Sequence, residues 1–147
     1  MENYILSLLI FIPVFGALLM LPISKLYGAS KSKYVALGAT GLQLLLTVWL
    51  YCNFDSSVNV LNSPFTINVP WIEHFNIFYY IGVDGLSMPM VILTALLSFL
   101  CIIVSWNIDK RPLGYFSLFL LLDAGMMGVF LSLDFFLFYI FWEVMLL

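Results

Sequence analysis

The sequence predicts an all-α integral membrane protein with four complete transmembrane helices, the first part of a fifth helix, and the N-terminus outside. Hydrophobic residues make up 64% of the 147 residues and charged residues only 9%, whereas a soluble domain carries about 25% charged residues. Five basic and eight acidic side chains cannot cover a water-soluble globule of this size. The composition therefore excludes a soluble monomer, and the high hydrophobicity excludes an intrinsically disordered chain.

Four apolar stretches are long enough, or nearly so, to cross a bilayer core about 30 Å thick, which takes about 20 helical residues. A fifth stretch has only 14 residues before the sequence ends, and these make about 21 Å of helix. We therefore interpret the chain as the N-terminal fragment of a longer protein. The predicted spans are 3–23, 34–54, 81–106, 113–133 and the incomplete 134–147.

The basic residues predict the orientation of these spans. All five lie in the loops that follow the first and third spans, and loops rich in Lys and Arg face the cytoplasm. This places the N-terminus and the loop 55–80 outside, in a multi-pass protein of the bacterial inner membrane or an organelle inner membrane. The five residues are Lys25, Lys31, Lys33, Lys110 and Arg111.

The external loop 55–80 contains an alternating apolar and polar run from Phe65 to Val69. A period of two after Pro64 predicts a short strand or hairpin on the outer surface, with an irregular loop as the alternative. Asp84 and Asp134 stand where the third and fifth spans begin, and a carboxylate there is typical of a helix N-cap.

Two carboxyl groups fall well inside the predicted spans, where a charge is costly and usually functional. Glu143 lies nine residues after Asp134, and Asp123 lies eleven residues before Asp134. Nine helical residues rise about 13.5 Å, so Glu143 lies near the membrane midplane. Because Asp123 lies at a similar depth on the preceding helix, the two groups can share one proton if they face each other. The alternatives are a neutral Glu143 that bonds a neighbouring helix, and an Asp123 that bonds backbone or Ser/Thr groups.

The remaining polar residues predict no resident cofactor or metal. One histidine (His74) and two separated cysteines (Cys52 and Cys101) are too few ligands for a haem, an iron–sulfur cluster or a zinc site. A net charge of −3 with five basic residues excludes nucleic acid as a partner. Ala124 and Gly128 form a small-xxx-small pair beside Gly125, which predicts a close helix contact on the fourth span.

Three motifs resemble a known family. The strings GVDGLS (82–87), GVFLSLD (128–134) and DFFLFYIFWEVML (134–146) are similar to the subunit M (chain 4) family of antiporter-like membrane subunits in respiratory complex I. The resemblance covers all five spans. It implies inverted helical repeats with broken helices, with Glu143 as the family's fifth-helix glutamate. That glutamate pairs with a lysine on a later helix and takes part in proton translocation.

The resemblance also implies a setting for the chain. NADH, flavin, iron–sulfur clusters and quinone are expected in other subunits of an NADH-quinone oxidoreductase, and the partners are the lipid bilayer and other membrane-arm subunits. Asp123 matches no acidic position of the family. Two alternatives remain open: a subunit of a multisubunit cation/proton antiporter or membrane-bound hydrogenase, and a small structural membrane protein.

Overall fold

A computed structural model describes residues 4–55, 63–108 and 110–146. Within these ranges, four helices are long and apolar enough to cross a membrane, and a shorter apolar helix follows them. The predicted all-α membrane fold is therefore confirmed. The helices are α1 (Ile5–Tyr27), α2 (Ser32–Asn53), α3 (Ser87–Val104), α4 (Pro112–Leu131) and α5 (Phe135–Leu146).

The helix bounds differ most from the predicted spans at two places. The first helix continues through Pro22 and ends before Gly28, whose φ of 89° favours glycine. The predicted span 81–106 begins in a strand, because Ile81 pairs with the neighbouring strand and the helix starts only at Ser87. The first residue of the first predicted span, Asn3, and the last residue of the fifth, Leu147, lie outside the described residues.

The segment between α2 and α3 contains an antiparallel hairpin of β1 (Ile67–Ile72) and β2 (Ile77–Ile81). Backbone hydrogen bonds fix it to the end of α4: the Gly82 N–H donates to the Leu131 carbonyl at 2.9 Å. The Leu133 N–H donates to the Tyr80 carbonyl at 2.8 Å. The hairpin is thus attached to the turn between α4 and α5. Residues 56–62 of the predicted external loop lie outside the described part.

Helix α4 is the centre of the helical unit, because it contacts each of the other four helices. Its contact with α5 is close at two glycines. A Cβ on Gly125 would stand 3.2 Å from the backbone nitrogen of Met145, and a Cβ on Gly128 would overlap the ring of Phe141. The small residues on the fourth span therefore mark a close helix contact, as predicted.

The interior of the unit consists of two apolar clusters with a polar layer between them. Apart from Ser32 at the start of α2, the buried polar residues of α2, α3 and α4 lie between residues of the two clusters. The cluster near the hairpin includes Leu9, Leu50, Val91, Met127 and Leu131, and the cluster at the other end includes Met20, Ala36, Ile102, Phe116 and Leu120. The polar layer consists of Thr40, Gln43, Thr47, Thr94, Ser98 and Asp123.

The helix that follows the hairpin opens with a reciprocal cap. The Asp84 carboxylate accepts from the Ser87 N–H at 2.6 Å, and the Asp84 N–H donates to the Ser87 hydroxyl at 2.9 Å. The hydrogen bond from the Ser87 N–H lowers the pKa of the Asp84 carboxyl below its ordinary 3.8. At the start of α5, the Asp134 carboxylate accepts hydrogen bonds from the Phe136 and Leu137 N–H groups. Both predicted caps are confirmed.

Replacing Asp84 by alanine is expected to lower the free energy of unfolding by about 1 kcal/mol at neutral pH, since the cap is lost. Asp84→Asn keeps an accepting oxygen and serves as the matched control. Because the folded pKa is lowered, the carboxylate's advantage over asparagine is present above pH 3.8 and is lost as the pH falls through the folded pKa. Thermal unfolding of the three proteins in detergent measures both effects. Equal stability of the wild type and Asp84→Ala would contradict the capping role.

Candidate functional site

Asp123 lies in the polar layer at the middle of α4. Its side chain has no exposed surface, and its Oδ1 accepts a hydrogen bond of 2.5 Å from the Ser98 hydroxyl on α3. Its Oδ2 is buried without a hydrogen-bond partner. Asp123, Ser98 and Gln43 are each the twelfth residue of their helix, and all three are buried. They therefore meet about 16 Å from a helix end, near the midplane of a bilayer.

Gln43 links α2 to α1 by a hydrogen bond to a backbone carbonyl of α1 that has no helical donor. Pro13 has no N–H, so it leaves the carbonyl of Leu9, four residues earlier, without its helical donor. The Gln43 Nε2 donates to that carbonyl at 3.2 Å. Gln43 also lies beside the Asp123 carboxyl, while its own Oε1 is buried without a partner. The polar layer thus connects four helices.

Glu143 has a different environment, on the exposed side of α5. The helix packs on α4 through residues spaced by four, among them Phe141 and Met145. Glu143 is two positions from each of these, about 200° around the helix, and therefore points away from α4. Tyr139, one helical turn earlier, lies beside its carboxyl.

The structure does not bring the two predicted carboxyl groups together. Asp123 faces α2 and α3, where Ser98 and Gln43 surround it, whereas Glu143 lies on the face of α5 that is turned away from α4. In this structure Asp123 is bonded in the way the alternative interpretation expected, through a serine of another helix. The two groups are consequently two separate sites.

Sequence reasoning missed three partners in these sites. Gln43 and Ser98 are neutral residues inside apolar stretches, and Tyr139 was not considered as a partner of Glu143. The i, i+4 spacing of Tyr139 and Glu143 was a usable signal. So was Pro13, because a proline inside a helix indicates a free carbonyl that some other donor has to satisfy.

Over the described ranges, no group of three His, Cys, Asp or Glu residues is arranged to hold a metal ion. The chemistry available at the two sites is that of a carboxyl group with neutral hydrogen-bonding neighbours. Such a group can hold, donate and accept a proton. The fold and these sites define a multi-pass helical membrane protein that carries one buried and one exposed carboxyl group within its helices.

The comparisons with known proteins show which proteins the chain is similar to. The chain is 36% identical over 147 residues to subunit M of the NADH-quinone oxidoreductase of Escherichia coli, and this match covers 97% of the chain. It is 35% identical over 142 residues to subunit M of the F420H2 dehydrogenase of Methanosarcina mazei. It is 34% identical over 143 residues to chain 4 of the NAD(P)H-quinone oxidoreductase of Parasynechococcus marenigrum. The chain is therefore similar, over more than nine tenths of its length, to part of the subunit M (chain 4) proteins of these oxidoreductases.

The chain spans only a part of the length of these relatives. The chain spans 29% of the length of the Escherichia coli protein, 28% of the Methanosarcina protein and 26% of the cyanobacterial one. No protein-family model matches it. The similarity covers 92–97% of the present sequence.

Proposed function

We propose that this chain forms part of a proton-translocating membrane subunit in a complex of the NADH-quinone oxidoreductase type, and that Glu143 takes up and releases the proton. The observation that carries the proposal is the position of Glu143, at mid-depth on the face of α5 turned away from α4. Similarity to the subunit M proteins over 97% of the chain supports it.

The proposed mechanism needs only the two protonation states of one carboxyl group. In a low-dielectric region the neutral form of a carboxyl is favoured, and an approaching cation favours the ionised form. When a lysine moves towards Glu143, the Glu143 carboxyl would release its proton. When the lysine moves away, the carboxyl would bind a proton again. The Tyr139 hydroxyl beside it is a hydrogen-bond donor for the ionised form. The outward direction of Glu143 leaves its carboxyl open to such a partner from another helix.

In this proposal, other subunits of the complex carry out the electron transfer. The names of the relatives give three different electron donors, NADH, NAD(P)H and F420H2, although their identities to the chain are nearly equal. A segment shared by complexes with different donors suits a role in proton movement better than a role in donor binding. We place NADH, flavin, iron–sulfur clusters and quinone in other subunits, with other membrane-arm subunits as partners of this chain.

The test of the proposal is the number of protons moved per electron transferred when Glu143 is changed to glutamine in the assembled complex. Electron transfer that continues without proton movement supports the proposal, and an unchanged ratio refutes it.

We also propose that the Lys-bearing ends of α1 and α2 face the cytoplasm, which follows from the positive-inside rule. Cys52, exposed near the end of α2, and Ser30, exposed between α1 and α2, then lie on opposite sides of the membrane. A membrane-impermeant maleimide added to intact cells is expected to label Cys52 in a Cys101→Ala protein. It should label a Ser30→Cys, Cys52→Ser, Cys101→Ala protein only after the membrane is opened. The reverse pattern would contradict the orientation.

A further inference from the structure

The polar layer contains two buried oxygen atoms that both lack a hydrogen-bond donor. They are the Oδ2 of Asp123 and the Oε1 of Gln43, on side chains without exposed surface. The two side chains are neighbours. Leaving a buried acceptor unsatisfied costs about 1–3 kcal/mol, so two such acceptors on neighbouring side chains indicate that a donor belongs to the site.

Exchanging the nitrogen and oxygen of the Gln43 amide does not satisfy both oxygen atoms. The Nε2 is held by the Leu9 carbonyl at 3.2 Å, and Pro13 has removed the only helical donor that this carbonyl would otherwise have. Exchanging the nitrogen and oxygen of the amide would place two acceptors against each other at Leu9. The amide orientation is therefore fixed by the backbone of α1, and Oε1 remains an acceptor.

No cation reaches the Asp123 carboxyl from the described parts of the helices packed on α4. Lys25 lies in the last turn of α1, Lys33 in the first turn of α2, and Arg111 precedes α4. Each is ten or more residues along its helix from the polar layer, about 15 Å or more. On α5, Glu143 and Tyr139 lie on exposed positions, as does Cys101 on α3. A buried carboxylate without a paired cation is strongly unfavourable.

We propose that Asp123, Gln43 and Ser98 form a buried proton-binding site, distinct from Glu143, in which the Asp123 Oδ2 carries the proton. The Ser98 hydroxyl donates to Oδ1, and a proton on Oδ2 removes the unpaired negative charge from the buried carboxyl. The proton is the cation that this site binds. Its release would leave a buried carboxylate without a paired cation among α2, α3 and α4, so the protonation state is coupled to the contact of these three helices.

The experiment is infrared spectroscopy of the lipid-embedded protein in its assembled complex at neutral pH, comparing the wild type with Asp123→Asn. A protonated carboxyl gives a C=O stretching band that carboxylates lack. The difference spectrum is expected to show the loss of one carboxylic acid band. Asparagine keeps an oxygen for Ser98 and an N–H for Gln43, so the variant is expected to fold.

Three controls connect the band with this site. Glu143→Gln should leave the band in place, which separates this inference from the proposed function of Glu143. Gln43→Met and Ser98→Ala keep the carboxyl but remove one of its partners, so each should shift the band without abolishing it. These two variants test the proposal even if the Asp123→Asn protein accumulates poorly. Loss of a carboxylate band instead of an acid band in Asp123→Asn, or an acid band that stays unshifted in both partner variants, would overturn the proposal.

Discussion

Glu143→Gln is expected to reduce the number of protons moved per electron to less than about a tenth of the wild-type value, because an amide binds no proton at physiological pH. Glutamine has nearly the same shape as glutamate, and the side chain is exposed on α5, so packing is unaffected. Quinone reduction by uncoupled membranes should therefore persist. The measurement is proton uptake or release by vesicles that contain the assembled complex, divided by the electrons transferred.

Glu73→Gln is the matched control for this prediction. Glu73 is an exposed carboxyl in the hairpin region, so the same chemical change is made outside the membrane-spanning helices. This variant should keep the wild-type ratio. Tyr139→Phe, which removes the hydroxyl beside Glu143, should lower the ratio less than Glu143→Gln does. A Glu143→Gln complex with the wild-type ratio would remove Glu143 from the proposed route.

Gly128→Leu is expected to displace α5 from α4. A Cβ at this position would overlap three atoms of the Phe141 ring, and the overlap involves the base of the ring rather than a flexible end. Overpacking of this kind typically costs about 1–3 kcal/mol and occasionally more, and leucine adds three further carbon atoms. The yield of folded protein and its unfolding temperature in detergent should both fall.

Gly114→Leu is the control, because a Cβ on Gly114, near the start of the same helix, meets nothing within 4 Å. It makes the same substitution in α4 without a clash. Adding Phe141→Ala to Gly128→Leu should restore part of the loss, since the two side chains compete for one space. Equal unfolding temperatures of the Gly128→Leu and Gly114→Leu proteins would refute the close packing of α4 and α5.

Composition and length were enough to predict the helices of this fold, but they could not place every boundary. Ile81 is as apolar as the residues of α3, yet it belongs to a strand because it pairs with Ile67 and lies against Ser132. Hydropathy measures the preference of a side chain for lipid and does not report hydrogen-bond partners. The caps at Asp84 and Asp134 were predictable because each depends on residues only two or three positions away.

The polar layer was predictable only in part. The depth of Asp123 follows from counting residues, because a helix has a fixed rise. Its partners on α2 and α3 depend on which helices are neighbours and on their rotation, which a single sequence does not contain. Gln43 was overlooked for a further reason: its hydrogen bond goes to a backbone carbonyl, and only Pro13 in the sequence indicates that this carbonyl is free.

The bond between Gln43 and the Leu9 carbonyl also bears on how the chain enters the membrane during synthesis. Alone in lipid, α1 would carry an open backbone acceptor next to Pro13, and such a group costs several kcal/mol in hydrocarbon. The donor arrives with α2. The favourable unit for insertion is therefore the pair of the first two helices, delivered together to the bilayer, rather than the first helix by itself.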